Sequence, residues 1–339
     1  MTGREQPRRQ FTASGLLTAI AGLALFAWLV WKIGPAEVWA GFRQVGWGLG
    51  WILLLGGFRF AARAFAWTRC VEPPHRLRWT DAFVAVVAGD AIGNLTPLGP
   101  IVGEPAKIAW VRQRVPVGAA VTALAIENVI YTLSVAAMLA AGTIALLFSV
   151  SLDSRLREFS EVTLGAIFAM FLGAAWILWT RPAVITGALR GPLGRAPMLA
   201  TRVDKLHALE QQIYTFASRR RGVILPLIAS EVVFHALGVL EAHITLWLIL
   251  GGPPPLLTSF ILESTNRLIT VVFKFIPMQL GVGEAASGFF TNLLKLGYPA
   301  GVTLSLVRKA RMGVWSLVGM ALLVYHGLSA RKILEDSAR

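Results

Sequence analysis

Charged residues are scarce in this 339-residue chain and make up 15% of the sequence. An average soluble domain carries about 25% charged residues, which help to cover its apolar core with a polar surface. Hydrophobic residues account for 55% of the chain, and the mean hydropathy is +0.64. The shortage of charge therefore excludes an ordinary soluble globular domain.

Cysteine and the common catalytic motifs are also missing. Cys70 is the single cysteine, so no intrachain disulfide can form. The sequence contains neither a G-x-x-x-x-G-K-[ST] phosphate loop nor an H-E-x-x-H zinc motif. Glu231 and His235 are four positions apart, but two ligand types without clear further ligands are a weak metal signal. We therefore predict no cofactor, no metal and no catalytic residue.

Long apolar runs dominate the rest of the sequence. A helix needs about 20 apolar residues to cross about 30 Å of hydrocarbon. Six segments reach that length: 11–31, 46–67, 117–150, 162–180, 223–250 and 299–325. No A-x-A cleavage site follows the first segment, so it is predicted to be retained as a helix. These segments predict an all-α polytopic membrane protein with about six full spans.

The formal charge of +14 is concentrated in the connections between the apolar runs. Residues 1–10 and 68–79 each carry +2 and residues 181–222 carry +6, whereas 151–161 carry −1 and 251–257 carry none. Basic connections are retained in the cytoplasm and attract anionic headgroups. This distribution predicts an inner-membrane protein with cytoplasmic tails at 1–10 and 327–339, and it argues against a nucleic-acid partner.

Two apolar segments are interrupted in the same way. Residues 80–95 run into NLTPLGPIVGEP, and residues 256–276 run into PMQLGVGEA. Pro97 and Gly103-Glu104 recur as Pro277 and Gly283-Glu284, each 180 positions later. Backbone broken by proline and glycine at membrane depth persists only when it is buried in protein or lines a wet cavity. The sequence therefore predicts two broken or re-entrant hairpins.

The two hairpins are predicted to enter the membrane from opposite sides. The first starts at a cytoplasmic loop and is followed by the basic Arg112 and Arg114, whereas the second starts outside. Inverted repeats with discontinuous helices near the midplane are typical of secondary transporters. We expect a first membrane repeat at 11–150 and a second at 151–326, which includes the basic cytoplasmic connection 181–222.

Polar residues inside the spans or beside the breaks are the candidate substrate-binding residues. Glu104 and Glu284 are predicted to start half-helices, where the helix dipole stabilises a carboxylate. That is either their whole role, or both face a shared polar cavity and bind a cation, a proton or a headgroup. The candidates are Glu104, Glu284, Arg59, Arg63, Asp90, Asn94, Glu127, Arg267, Arg308 and Arg311, and the structural breaks are Pro97, Gly103, Pro277 and Gly283.

Several of these residues have two interpretations. Arg59 and Arg63 are one turn apart and either extend to the cytoplasmic headgroups or bind a lipid phosphate. Asp90, Asn94 and Arg267 either satisfy backbone groups freed by the breaks or line a lipid path. Glu127 is expected to pair with Arg308 or Arg311 if the repeats pack about a pseudo-two-fold axis.

Short motifs resemble a known family. GDAIGNLTPLGPIVGEPAKIAWVRQR and ALAIENVIYTL resemble the first signature of the lysylphosphatidylglycerol synthase transmembrane-region family, and FIPMQLGVGEA and LVRKARMGVWSLVG resemble the second. The similarity covers about residues 15–325. The pattern of Gln279 with Lys309-Ala-Arg311 is similar to hopanoid-associated members, whereas Pro100 and Pro105 depart from the usual glycine-rich turn.

The resemblance implies a flippase-like membrane domain that handles lipids. Full-length synthases of this family add a soluble aminoacyltransferase domain, and because the chain ends at Arg339 the resemblance does not imply synthase activity. We expect a transporter that moves a polar-headed lipid between leaflets by alternating access at a central polar cavity. The alternatives are a membrane enzyme acting on lipid-linked substrates and a non-transporting subunit of a lipid or envelope pathway. Membrane lipids are the predicted partners, and a homo-oligomer or an envelope-lipid enzyme partner stays open.

Overall fold

The computed structural model describes residues 31, 36, 39, 43–95, 99–180, 211–216, 219–274 and 276–325. Within these residues the regular elements are α-helices and one 3₁₀ turn, and no strand occurs. The main helices are α1 (Gly48–Cys70), α2 (Trp79–Leu95), α3 (Gly99–Val111), α4 (Val117–Ser149), α5 (Ser154–Thr180), α6 (Arg221–Leu250), α7 (Leu256–Val272), α8 (Val282–Leu293) and α9 (Tyr298–Tyr325).

Four helices are long and apolar enough to cross a membrane. They are α1, α4, α6 and the Ser154–Ile177 part of α5, and they coincide with four of the six predicted spans. The prediction of a multi-pass all-α membrane protein is therefore confirmed. The sixth predicted span forms α9, a continuous helix of 28 residues that carries three cations near its middle. The predicted first span, both tails and most of the basic connection lie outside the described residues.

Helices α1 and α6 form an antiparallel pair at the centre of the fold. A Cβ atom on Gly48 would lie 2.1 Å from a methyl carbon of Leu248, so the start of α1 meets the end of α6. Ser230 near the start of α6 donates a hydrogen bond to the carbonyl of Ala62, at 3.3 Å. The ends of α1 and α6 that adjoin cytoplasmic loops in the predicted topology therefore lie on the same side.

Helices α2 and α3 form a tight antiparallel hairpin. A Cβ atom on Gly103 would lie 2.7 Å from the carbonyl oxygen of Gly89, so the two backbones approach as closely as small residues allow. Arg114, just after α3, forms an ion pair of 2.9 Å with Asp81 at the start of α2. The chain thus returns to the side from which it entered. The predicted break at Pro97 falls between these helices and lies outside the described residues.

The second break separates α7 from α8. A 3₁₀ turn, Pro277–Gln279, lies between them, and Met278 and Gln279 have positive φ angles of 50° and 53°. Gly281 follows with φ of 78°, a left-handed conformation that glycine adopts at little steric cost. Pro277 thus begins the 3₁₀ turn that separates α7 from α8, and Gly283 lies in the first turn of α8.

The closeness of the α2–α3 hairpin generates a stability prediction. In the variant Gly103→Ala, the new methyl group must push α3 away from Gly89, so we expect a loss of about 1–3 kcal/mol of stability. Gly165→Ala on α5 is the matched control, because a Cβ there meets nothing within 4 Å. Thermal unfolding of the two purified variants in detergent measures the difference. Equal midpoints for the two variants would contradict the close packing.

Candidate functional site

A central cavity of about 200 Å³ lies among α1, α2, α7 and α9. Its wall is strongly basic: among the described residues, Asp90 is the only acidic side chain that lines it. A second chamber of about 370 Å³ adjoins it and shares Arg63, Asp90 and Lys107 with the first. The cations that line the first cavity are Arg59, Arg63, Lys107, Arg267, Arg308, Lys309 and Arg311.

Glu263 on α7 is the centre of the charge network behind this wall. It is 1% exposed. It accepts hydrogen bonds from Arg308 of α9 at 2.7 Å and from Arg267, one turn away, at 2.8 Å. Gly238 on α6 makes room for it, because a Cβ there would lie 2.6 Å from a carboxylate oxygen of Glu263. The glycine lets α6 and α7 enclose the carboxylate between them.

Glu241 on α6 is the second buried carboxylate of the network. It accepts a hydrogen bond from Arg59 at 3.1 Å and forms an ion pair of 2.7 Å with Arg311. Arg59 also lies 3.8 Å from Glu263, which joins the two carboxylates. Four guanidinium groups therefore surround two carboxylates, with an excess of two positive charges beside the cavity.

Lys309 connects the second break to α9. Its ammonium group forms an ion pair with Glu284 and donates a hydrogen bond of 3.3 Å to the carbonyl of Gln279. The lysine thus satisfies a backbone group that the break frees from helical hydrogen bonding. Lys309 lines the cavity, whereas Glu284 does not.

The first break has a related arrangement around Glu104. This carboxylate accepts hydrogen bonds from Lys107 at 2.8 Å and from Asn128 of α4 at 3.2 Å, and it lines the second chamber. Gly103 lines the same chamber. Asp90 accepts a hydrogen bond of 2.7 Å from Asn94, and both residues line both chambers.

Glu127 has a different partner from the one expected. Arg63 of α1 donates a hydrogen bond of 2.9 Å to it, whereas Arg308 and Arg311 pair with Glu263 and Glu241. The expected pairing was therefore wrong. Since α1 lies closer to α4 than the charged part of α9 does, the nearest cation comes from α1. The placement of Arg59 and Arg63 against buried carboxylates also differs from side chains that extend to the headgroups.

Several residues at the site were not among the candidates. They are Glu241, Glu263, Lys107, Lys309, Tyr131 and Phe234. A signal existed for some of them: Glu263 precedes Arg267 by four positions and Lys107 follows Glu104 by three, spacings that place both members of each pair on one helix face. Nothing in the sequence indicates the aromatic pair.

No group of three or more His, Cys, Asp or Glu side chains is suitably placed for a metal ion in the described part of the chain. Glu231 and His235 do lie on one face of α6, where both contact Ser134 of α4. The Ser134 hydroxyl is 3.0 Å from a Glu231 oxygen and 3.0 Å from Nε2 of His235. This pair is therefore part of a polar cluster between two helices.

Comparison with known proteins identifies a family. A family model described as the lysylphosphatidylglycerol synthase TM region matches residues 15–319, which is most of the chain. Comparisons with curated proteins and with solved structures gave no match. The matched segment contains both breaks and every charged residue of the cavity wall. The chain belongs to the family of lysylphosphatidylglycerol synthase TM regions.

Proposed function

We propose that this protein binds the anionic headgroup of a membrane lipid in its basic cavity and carries that headgroup between the two leaflets. The observation that carries the proposal is the charge of the central network, in which four arginines face only the two carboxylates Glu241 and Glu263. Charges buried within a membrane are costly and are usually functional. A bound phosphodiester carries one negative charge and would neutralise one of the two excess positive charges, and the Asp90 carboxylate of the cavity wall formally balances the other.

Arginine is well suited to this ligand. Its planar guanidinium group donates two parallel hydrogen bonds to a phosphate, and such charge-assisted bonds are the strongest that side chains make. Arg308 and Arg311 are one turn apart on α9 and both line the cavity. The lipid tails would stay in the bilayer, so only the headgroup needs a polar path. The driving force is an ion gradient, the membrane potential or downhill lipid flow.

The mechanism is alternating access between two repeats in opposite orientation. The first repeat contains α1 to α4 and the second contains α6 to α9, with a long helix, a broken hairpin and a long helix in each. Three features support this relation. The equivalent helices α1 and α6 are antiparallel. In the two repeats α2 corresponds to α7 and α4 corresponds to α9. The contact between α2 and α9 therefore has its counterpart in the contact between α7 and α4. The glutamate after each break is bound to the following long helix, through Asn128 and Lys309.

The same relation sets the orientation in the membrane. In the proposed topology both termini are cytoplasmic and the protein resides in the inner membrane. The α2–α3 hairpin then starts and ends at the cytoplasmic face, and the α7–α8 hairpin starts and ends at the outer face. The two breaks meet near the midplane, where residues of both, Gly99 and Pro277 among them, line the second chamber.

The proposal predicts a specific loss of lipid exchange in the variant Arg308→Gln. Removing one guanidinium–phosphate interaction costs about 1.5–3 kcal/mol, which lowers headgroup binding about 10- to 100-fold. Glu263 keeps Arg267 as a partner, so the fold is expected to persist. The measurement is the exchange rate of fluorescent phosphatidylglycerol between leaflets of proteoliposomes, and the controls are fluorescent phosphatidylcholine and empty vesicles.

The matched control is Arg157→Gln on α5, which removes an arginine from an exposed ion pair with Glu161. It should exchange phosphatidylglycerol at the wild-type rate. If the wild-type protein accelerates no anionic lipid above empty vesicles, transport is excluded. Retained binding of anionic lipid under those conditions would instead favour a non-transporting subunit.

The opposite orientation of the hairpins predicts which loops a thiol reagent can reach from the outer side of the membrane and which from the cytoplasmic side. In a Cys70→Ala background, single cysteines at Arg76 and Gln113 flank the first hairpin, and cysteines at Pro253 and Pro299 flank the second. All four positions are exposed. We expect a membrane-impermeant thiol reagent to modify Pro253→Cys and Pro299→Cys in intact cells, but Arg76→Cys and Gln113→Cys only after permeabilisation. Modification of Gln113→Cys and Pro299→Cys from the same side would exclude the inverted arrangement.

A further inference from the structure

An apolar groove of about 980 Å³ runs between α4, α6 and α7. Its walls are aliphatic apart from Ser134, Glu231, His235 and Phe260. The α6 residues Ile228 and Val232 are 50% and 61% exposed, so the groove is open to the surrounding bilayer. Only lipid or another apolar segment can fill such a space within a membrane.

The groove and the basic cavity lie on two sides of an aromatic partition, Tyr131 and Phe234. The ring centroids of these residues are 5.6 Å apart in an edge-to-face arrangement, and both residues line the cavity. The groove is lined instead by residues next to them or one turn away, which are Ile130 and Ser134 on α4 and His235 on α6. The helices that carry these two rings, α4 and α6, therefore have residues that line the cavity and residues that line the groove.

Cavity arginines hold the partition in place. The guanidinium carbon of Arg63 lies 3.8 Å from the ring centroid of Tyr131, and that of Arg59 lies 4.6 Å from the ring centroid of Phe234. Arg267 lies 5.0 Å from the same Phe234 ring. These are cation–π contacts, which keep the rings against the cavity wall.

A polar cluster lies in the groove beside this partition. Ser134 contacts both Glu231 and His235 there, and Nδ1 of His235 is buried without a hydrogen-bond partner. Among the described residues, no lysine or arginine nitrogen lies within 4.0 Å of the Glu231 carboxylate. Ionisable side chains at membrane depth without a close cation are candidates for a functional site.

The dimensions of the groove suit a tail in either leaflet. It follows α6 from Ile224 to Leu240, a distance of about 24 Å at 1.5 Å per residue. Glu231 lies about 10 Å from the Ile224 end and about 14 Å from the Leu240 end, with apolar wall in both directions. Each of these lengths is slightly less than the roughly 15 Å of hydrocarbon that one leaflet contributes.

We propose that this groove holds an acyl chain of the anionic lipid whose headgroup enters the basic cavity, with the ester region of that lipid at the Ser134–Glu231–His235 cluster. The inference rests on the proposed function and assigns a binding site to the acyl chain of its substrate. The order of sites matches the order of groups in such a lipid. The cavity cations meet the phosphate, the polar cluster meets the ester region, and the aliphatic groove meets the tail.

The partition gives a reason for the headgroup and the tail to bind together. A phosphate competes with the aromatic ring faces for Arg59 and Arg63, because a charge-assisted hydrogen bond is stronger than a cation–π contact. When these arginines turn to the phosphate, Tyr131 and Phe234 lose the contacts that hold them. The side chains can then move apart and join the cavity to the groove.

The experiment uses phosphatidic acid that carries a diazirine in one acyl chain, bound to the full-length protein in phosphatidylcholine nanodiscs. After illumination, mass spectrometry locates the labelled peptides. We expect labels on α4 and α6 around Ala137 and Val232, and competition by unlabelled phosphatidic acid. Ala137→Trp fills the groove and should lower this labelling about fivefold or more by steric exclusion. Ala175→Trp, on the exposed surface of α5, should leave it unchanged.

Val232→Trp provides a second test of the groove if the first variant does not fold. Labels spread equally over α5, or labelling that persists in both groove variants, would overturn the proposal. Arg308→Gln separates the two inferences. If it leaves labelling intact while the groove variants abolish it, the acyl-chain site stands and the basic cavity is not the headgroup site.

Discussion

The cost of burying charge in a membrane is the constraint on which the rest of this structure depends. Removing either partner of a buried ion pair leaves an uncompensated charge and costs about 3–5 kcal/mol. The chain meets this constraint with pairs between different helices: Arg59–Glu241 joins α1 to α6, Arg63–Glu127 joins α1 to α4, and Arg308–Glu263 joins α9 to α7. The residues that form the candidate site therefore also fix the order of the helices around it.

Glycine is what lets this network form. Gly238 leaves space for Glu263 between α6 and α7, and Gly56 does the same for Arg311 between α1 and α9, where a Cβ would lie 3.0 Å from the arginine side chain. Without such close approach, the carboxylates would be separated from their cations by a gap that water or lipid would fill. The ion pairs of Glu263 and Arg311 therefore depend on the absence of a side chain at Gly238 and Gly56.

The sequence predicts the class of protein, four of the described spans and the second break, because each depends on local composition. It also predicts most cations of the cavity wall, since charged residues within apolar runs are conspicuous. The partners of those cations depend on how helices pack across the molecule, which no local pattern encodes. Sequence patterns therefore pair Glu127 with the wrong arginines, and they do not indicate the contact between Tyr131 and Phe234. Glu284, for which the sequence leaves open a helix-start role or a place in a shared cavity, pairs with Lys309, and the lysine lines the cavity.

A transport site must bind its ligand firmly enough to remove it from one leaflet and weakly enough to release it into the other, as a conducting site must. In the transport mechanism that we propose, the central network meets both requirements through partial neutralisation of its charges. If the carboxylates Glu241 and Glu263 were absent, four arginines would hold a phosphate too strongly to let it leave. If two more carboxylates were present, no net attraction would remain. With an excess of two charges, each arginine that turns to a phosphate leaves a carboxylate or an aromatic ring that draws it back, so release restores contacts that binding disrupts.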